Sequence, residues 1–151
     1  MDNVKRLQYE QSIFISMMLL STQMETSLDR ALASSGLTST QWFMSILLET
    51  AFSQPPTLKQ AAAKLGTSYQ NIKQIALNLQ KRGLVEVRKD PDDARITRLH
   101  LVAGQDAFWH EADEKGSAYL TALFDGISES DLLHTVKILQ RIQKNLKSSD
   151  V

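Results

Sequence analysis

Between Ser68 and Gln74 the chain sets Ser68, Tyr69, Gln70, Asn71, Lys73 and Gln74 side by side, with Ile72 as the one aliphatic among them. Carboxamides donate and accept at once, so Gln and Asn can pair with an adenine edge, and Lys can reach guanine or a phosphate. A serine that opens a helix can add a phosphate contact, because the free N–H groups and the dipole there favour anions. Arg82 and Arg95 follow as further candidates for a polyanion. Taken singly, each of these side chains is also what a solvated helix face carries, so the reading depends on what positions them.

Other chemistry finds no candidates. His100, His110 and His134 are scattered, and His110 and Glu111 are adjacent on a helix, so they do not readily clasp one metal ion. There is no cysteine. No serine sits in a Gly-x-Ser-x-Gly turn, and no glycine-rich phosphate loop exists. Asp92 and Asp93 are paired carboxylates in a charged turn, with no pocket to raise a pKa. The chain reads as a non-enzyme that needs no cofactor and no metal.

The elements around the polar cluster follow from periodicity. Residues 4–33 lack Gly and Pro, and Leu7, Phe14, Met17, Met18, Met24, Leu28 and Leu32 make a broad apolar face, closed by Gly36. Thr38 and Gln41 stand in capping-box spacing before a helix carrying Trp42, Ile46 and Leu47 to about Phe52, where Gln54-Pro55-Pro56 ends it. Thr57 caps a short helix with Leu58, Ala61, Ala62 and Leu65 on one face, stopped by Gly66. Ser68 then caps a second helix to about Arg82, whose Ile72, Ile75, Ala76 and Leu79 form an inward stripe opposite the polar cluster. Leu84–Lys89 and Ile96–Val102 alternate as half-buried strands around the polar tip 90–95. Helices at about Gln105–Phe124 and Glu129–Leu146, the latter capped by Ser128, complete the chain.

The chain has 151 residues, is 42% hydrophobic and carries no net charge. It can therefore build a core, and its total charge says nothing about partners. The distribution of charge says more. Thr57 to Arg98 holds nine basic and four acidic side chains, a net of +5, which leaves −5 on the remainder. The absence of cysteine fits a reducing cytoplasm. The N-terminal apolar run has charges ahead of it and is shorter than a membrane span, so neither a signal peptide nor a transmembrane helix is expected.

Leu37-Thr38-x-x-Gln41-Trp42, Leu58-x-x-Ala61-Ala62-x-x-Leu65-Gly66, Leu79-x-x-x-Gly83-Leu84-Val85 and Asp90-Pro91-x-Asp93-x-Arg95 together resemble the MarR family of bacterial winged helix-turn-helix transcription regulators. The likeness covers residues 37–102, and the flanking helices match in length and order. It implies a triangular homodimer, with a dimerisation region from 1–36 and 104–151 and a DNA-binding lobe from 37–103. It places Ser68 to Gln74 at the start of the recognition helix and Arg95 at the wing tip, in the minor groove. Asp93 then orients the wing or simply forms its turn. Arg88, Lys89 and Arg98 read as phosphate neighbours or solvated strand ends.

Three departures stand out: Ala94 replaces a second wing arginine, Val102 replaces a capping threonine, and Lys73 is the only cation on the recognition face before Lys81. Relatives also bind small aromatic effectors between platform and lobe, and Phe14, Met17, Met18, Trp42, Phe43 and Met44 could line such a pocket or belong to core and interface. The expectation is a mainly α (α+β) fold, a winged helix-turn-helix with a two-stranded β-hairpin wing flanked by N- and C-terminal dimerisation helices. The expected function is a cytoplasmic homodimeric regulator, more often repressor than activator, on a pseudo-palindromic duplex. The alternative is a winged-helix protein-interaction module or antirepressor without specific DNA binding.

Overall fold

The computed structural model describes residues 3–149, so the outermost residues of the expected dimerisation segments (1, 2, 150 and 151) lie outside it. The described chain divides into two compact units, one ending at Gly116 and one from Ser117 onward.

The first unit opens with α1 (Asn3–Leu32), which passes into a 3₁₀ turn at Ala33–Ser35 before Gly36 closes it at a φ of 65°. That left-handed conformation is one glycine adopts without a Cβ penalty. α2 (Ser39–Thr50) starts at a complete capping box, in which Thr38 Oγ1 accepts from Gln41 N and Gln41 Oε1 accepts from Thr38 N. It stops two residues short of the expected Phe52, with Ala51 N donating the last helical bond to Leu47 O. α3 (Leu58–Leu65) carries a second capping box, Thr57 with Gln60, and Gly66 closes it in the left-handed region. α4 (Tyr69–Lys81) begins at Ser68, whose hydroxyl accepts from Asn71 N at 3.2 Å.

The hairpin β1 (Val85–Lys89) and β2 (Thr97–Leu101) is antiparallel. Val85 pairs with Leu101 and Val87 with Leu99, giving one apolar face, while Glu86–His100 and Arg88–Arg98 form the other. The strands are shorter than their alternation suggests. Leu84 N closes the end of α4 on Leu79 O, and Ile96 N donates to Asp93 O inside the tip, so neither amide joins the ladder. Leu99 N donates to Pro56 O at 2.8 Å, fastening the wing to the chain entering α3.

α5 (Asp106–Leu123) starts after Gly104, whose φ is 83°. The core of the first unit gathers Leu32, Leu37, Trp42, Met44, Leu58, Ile72, Leu79, Leu84, Val85, Leu99 and Trp109. Burying such a set at roughly 1.5–3 kcal/mol per large side chain is what holds the short helices and the hairpin together. Outside that core, α1 leaves Leu7, Phe14 and Met18 exposed.

The second unit holds the end of α5 and α6 (Glu129–Ser149). Ser128 caps α6 by accepting from Asp131 N at 3.2 Å. Leu133, Val136, Ile138 and Leu139 of α6 are exposed.

Candidate nucleic-acid interface

The inward stripe of α4 decides what its other side presents. Ile72, Ile75, Ala76 and Leu79 are buried, and Tyr69, Gln70, Asn71, Lys73 and Gln74 are all exposed, as is Ser68. Gln70, Lys73 and Gln74 are spaced to share one surface of the helix. Asn71 and Gln74 lie toward one flank. Asn71 Nδ2 donates to Thr67 Oγ1 at 2.9 Å, and Gln74 Nε2 donates to Asn78 Oδ1 at 3.1 Å. Both line a groove of about 350 Å³ shared with Glu25, Asp29 and Gln41. The structure thus brings the expected N-terminal set onto one helix, with part of the amide hydrogen bonding already taken up locally.

The wing is organised by Asp90, whose role the sequence reading missed. Its Oδ1 accepts from Asp92 N at 2.8 Å and Asp93 N at 3.1 Å. Its Oδ2 pairs with Arg98 Nε, and Arg98 Nη1 donates to Pro55 O at 2.8 Å. The bond from Arg98, then those from the two amides, hold the Asp90 carboxyl below its ordinary value. Arg98 is therefore neither a solvated strand end nor a free phosphate neighbour. Its guanidinium is largely covered and ties the wing to the loop before α3.

At the tip, Asp93 Oδ1 accepts from Arg95 N at 3.0 Å and Arg95 Nε at 3.2 Å. One carboxylate thus forms the turn and aims the arginine, whose side chain is 92% exposed. Arg88 pairs with Glu86 on the outer face of the hairpin, and this bond is the first cause of the lowered Glu86 pKa. Burial, followed by the charge of Arg88, lowers the His100 pKa.

Arg82 departs from the expected group. It is the C-cap of α4, at the opposite end from Ser68, and its guanidinium donates to Gly36 O at 2.6 Å and Ser35 O at 2.9 Å. Its Cζ lies 5.4 Å from the centroid of the Phe108 ring. These partners sit 46 and 47 residues away along the chain, beyond the reach of local pattern.

The proposed pocket side chains are not gathered into one setting. Trp42 and Met44 are in the core, Trp42 with Nε1 donating to Asp113 Oδ1 at 2.7 Å, whereas Phe14, Met18 and Phe43 are exposed. A recess of about 450 Å³ between α2 and α5 is lined instead by Glu49, Asp106, Ala107, Trp109, His110 and Asp113. His110 also faces Glu114 at 3.3 Å, one helical turn on, whereas Glu111 is its neighbour in sequence. Among the described residues no group of three or more His, Cys, Asp or Glu side chains is placed to hold a metal ion. No helix among them is long and apolar enough to cross a membrane.

A capped helix pair, a recognition-type second helix and a hairpin fastened beside it make a winged helix-turn-helix. Residues 35–96, which hold the helix pair and the first strand of the hairpin but not the second, match the model of the MarR family. The chain is also similar to the uncharacterized HTH-type transcriptional regulator YsmB of Bacillus subtilis, 26% identical over 91 residues, a match spanning 60% of this chain and 62% of YsmB. Solved structures of low identity share this winged-helix fold. The organohalide-sensing regulator RdhR, in its 2,4-dichlorophenol-bound form, superposes with a TM-score of 0.78 at 16% identity, over 96% of this chain and 85% of that one. The transcriptional regulator MosR of M. tuberculosis, in complex with DNA, gives 0.75 at 20% identity, over 91% and 97%.

Proposed function

We propose that this chain is a transcription regulator of the MarR family that binds DNA sequence-specifically, a repressor acting as a homodimer on a pseudo-palindromic operator. The observation that carries the reading is the pairing of two exposed elements on one lobe. The Ser68-capped face of α4 presents amides and Lys73, and the wing tip presents Arg95, 92% exposed and aimed by Asp93. Helix into major groove and wing arginine toward minor groove is the docking that such a lobe supports. The DNA complex of the similarly folded MosR supports this, and the dichlorophenol complex of RdhR supports a small aromatic effector.

The test is fluorescence anisotropy on an operator selected from random duplex, across a salt series. Log affinity is expected to fall linearly with log salt, by about 0.9 for each phosphate contacted. Gln70→Ala should weaken operator binding more than random-duplex binding, and Lys73→Ala should weaken both evenly and flatten the slope. Weak, sequence-blind affinity that the amide change leaves untouched would replace this reading with a protein-interaction module or antirepressor, a role that zero net charge and Ala94 also fit.

A further inference from the structure

The turn that ends α1 is a meeting point of three helices. Ser35 and Gly36 present backbone carbonyls at the C-terminal end of the 3₁₀ turn, where unpaired C=O groups carry partial negative charge. Arg82, from the end of α4, donates Nη1 to Gly36 O at 2.6 Å and Nη2 to Ser35 O at 2.9 Å. From α5, Lys115 Nζ donates to Ser35 Oγ at 2.9 Å, and the Phe108 ring lies 5.4 Å beneath Arg82 Cζ. The approach is close, since a Cβ at Gly36 would stand 3.4 Å from Arg82 Nη2. A planar fork can meet two neighbouring carbonyls at once and stack on a ring, which a lysine ammonium cannot do in the same way.

We propose that Arg82 is a positioning residue that sets the angle of α4 against α1 and α5, and through it the half-site spacing the protein prefers. The inference rests on the DNA-binding homodimer reading above. In that reading α1 and α5 belong to the dimerisation region, so whatever fixes α4 to them fixes one recognition helix relative to the other. α4 spans 13 residues, roughly 20 Å, and the fork holds the end opposite Ser68. A tilt of about 10° at that end displaces the other by about 3 Å, close to the ~3.4 Å rise of one base pair. The fork therefore acts on register rather than on phosphate.

The experiment compares wild type, Arg82→Ala and Arg82→Lys on the selected operator and on duplexes with one base pair added or removed between half-sites, across a salt series. Wild type is expected to discriminate among spacings. Arg82→Ala should bind the operator about tenfold or more weakly, treat the three spacings nearly alike and keep the wild-type salt slope. Arg82→Lys should resemble Arg82→Ala. A slope reduced by about 0.9 per protomer, with spacing preference kept and lysine restoring affinity, would make Arg82 a phosphate contact and overturn the proposal.

Hydrogen exchange without DNA provides the independent arm. Amides near 35–37 and 80–84 should exchange faster in both variants, while Ile72 and Ile75 stay protected. Unchanged exchange there removes the fork as a constraint. A wild type that selects no operator would sink the DNA-binding reading and leave the exchange result to decide the fork.

Discussion

The indole of Trp42 occupies the space that any side chain on Gly116 would need. A Cβ at Gly116 would fall 2.1 Å from Trp42 Cζ2 and 2.4 Å from Cη2, far inside contact distance. Beside it, Trp42 Nε1 donates to Asp113 Oδ1 at 2.7 Å, so the ring is anchored at its nitrogen while the adjoining Cε2, Cζ2 and Cη2 lie over Gly116. Gly116 has no positive φ and serves here by close approach.

Gly116→Ala should therefore destabilise the fold through overpacking by about 1–3 kcal/mol, although alanine is the better helix former. Trp42→Phe should cost stability by itself, from the lost volume and the lost bond to Asp113. The two changes together should cost less than their sum, because phenylalanine lacks the outer ring atoms that meet position 116. Urea unfolding of the four proteins of this cycle measures the coupling, and simple additivity would show that the contact stores no strain.

What was legible in the sequence was local. Thr38 with Gln41, Gly66, and Ser68 before the Ile72–Leu79 stripe act over one helical turn, and the structure keeps each of them. Thr57 with Gln60 has the same spacing as Thr38 with Gln41, so that second box is equally legible in the sequence. His110 with Glu114 is a similar case. Arg82 and Arg98 could not be placed from pattern. Their guanidinium groups reach carbonyls 46 and 43 residues away, and nothing in a neighbouring residue separates a tertiary fork from a solvated cation. The Asp90-Pro91 start of the tip announced a turn, but the pairing of Asp90 with Arg98 depends on strand register, which only the assembled hairpin defines.

The wing should loosen in acid in two stages. His100 titrates below the ordinary 6.5, first because it is partly withdrawn from water and then because Arg88 is near, so the fold favours the neutral ring. Its contribution is whole above pH 6.5 and declines as pH falls through the lowered value. Asp90 titrates below the ordinary 3.8, so its contribution is whole above pH 3.8 and is lost as pH falls through its own lowered value. His100→Gln should flatten the first decline, and Asp90→Asn should remove the second while lowering stability at neutral pH. Urea midpoints from pH 8 to pH 2 measure both (buffer range of the assay, roughly the span of these titrations). A His100→Gln profile that follows wild type between pH 7 and 5 would rule out the first.

Among the described residues Arg95 donates to Asp93 within its own turn and to no other side chain, so its removal should leave the hairpin folded. Arg95→Ala should weaken operator binding by roughly 1–3 kcal/mol per affected contact. Asp93→Ala should give a smaller loss, since the arginine remains but is no longer aimed. Ala94→Arg should tighten binding to all duplexes by adding a cation at the tip. Gel-shift titration with circular dichroism as the folding control measures the three. An Arg95→Ala protein with wild-type affinity and spectrum would show that the wing tip does not meet DNA.

The exposed apolar side chains of the flanking helices set the final expectation. Phe14 and Met18 on α1 are each 61% exposed and Leu7 is 54% exposed, at positions 7, 14 and 18 that return to one side of a helix. On α6, considered by itself, Leu133, Val136 and Leu139 are likewise exposed. An exposed apolar helix side, such as that of α1, is unfavourable in water on a lone chain, and a stable protein interface removes on the order of 1,200–2,000 Å² of surface. A second copy of the chain would cover it. The unfolding midpoint should then rise with protein concentration, because dimerisation stabilises the folded state by mass action. Phe14→Glu should convert micromolar protein to monomer and lower the midpoint, whereas Lys5→Glu, on the same helix and away from that side, should do neither. Operator binding by Phe14→Glu should fall toward that of a single half-site, since two linked lobes no longer engage together. Sedimentation velocity decides the matter: a wild-type chain that stays monomeric at micromolar concentration removes the dimer, and with it the two-fold operator and the spacing argument for Arg82.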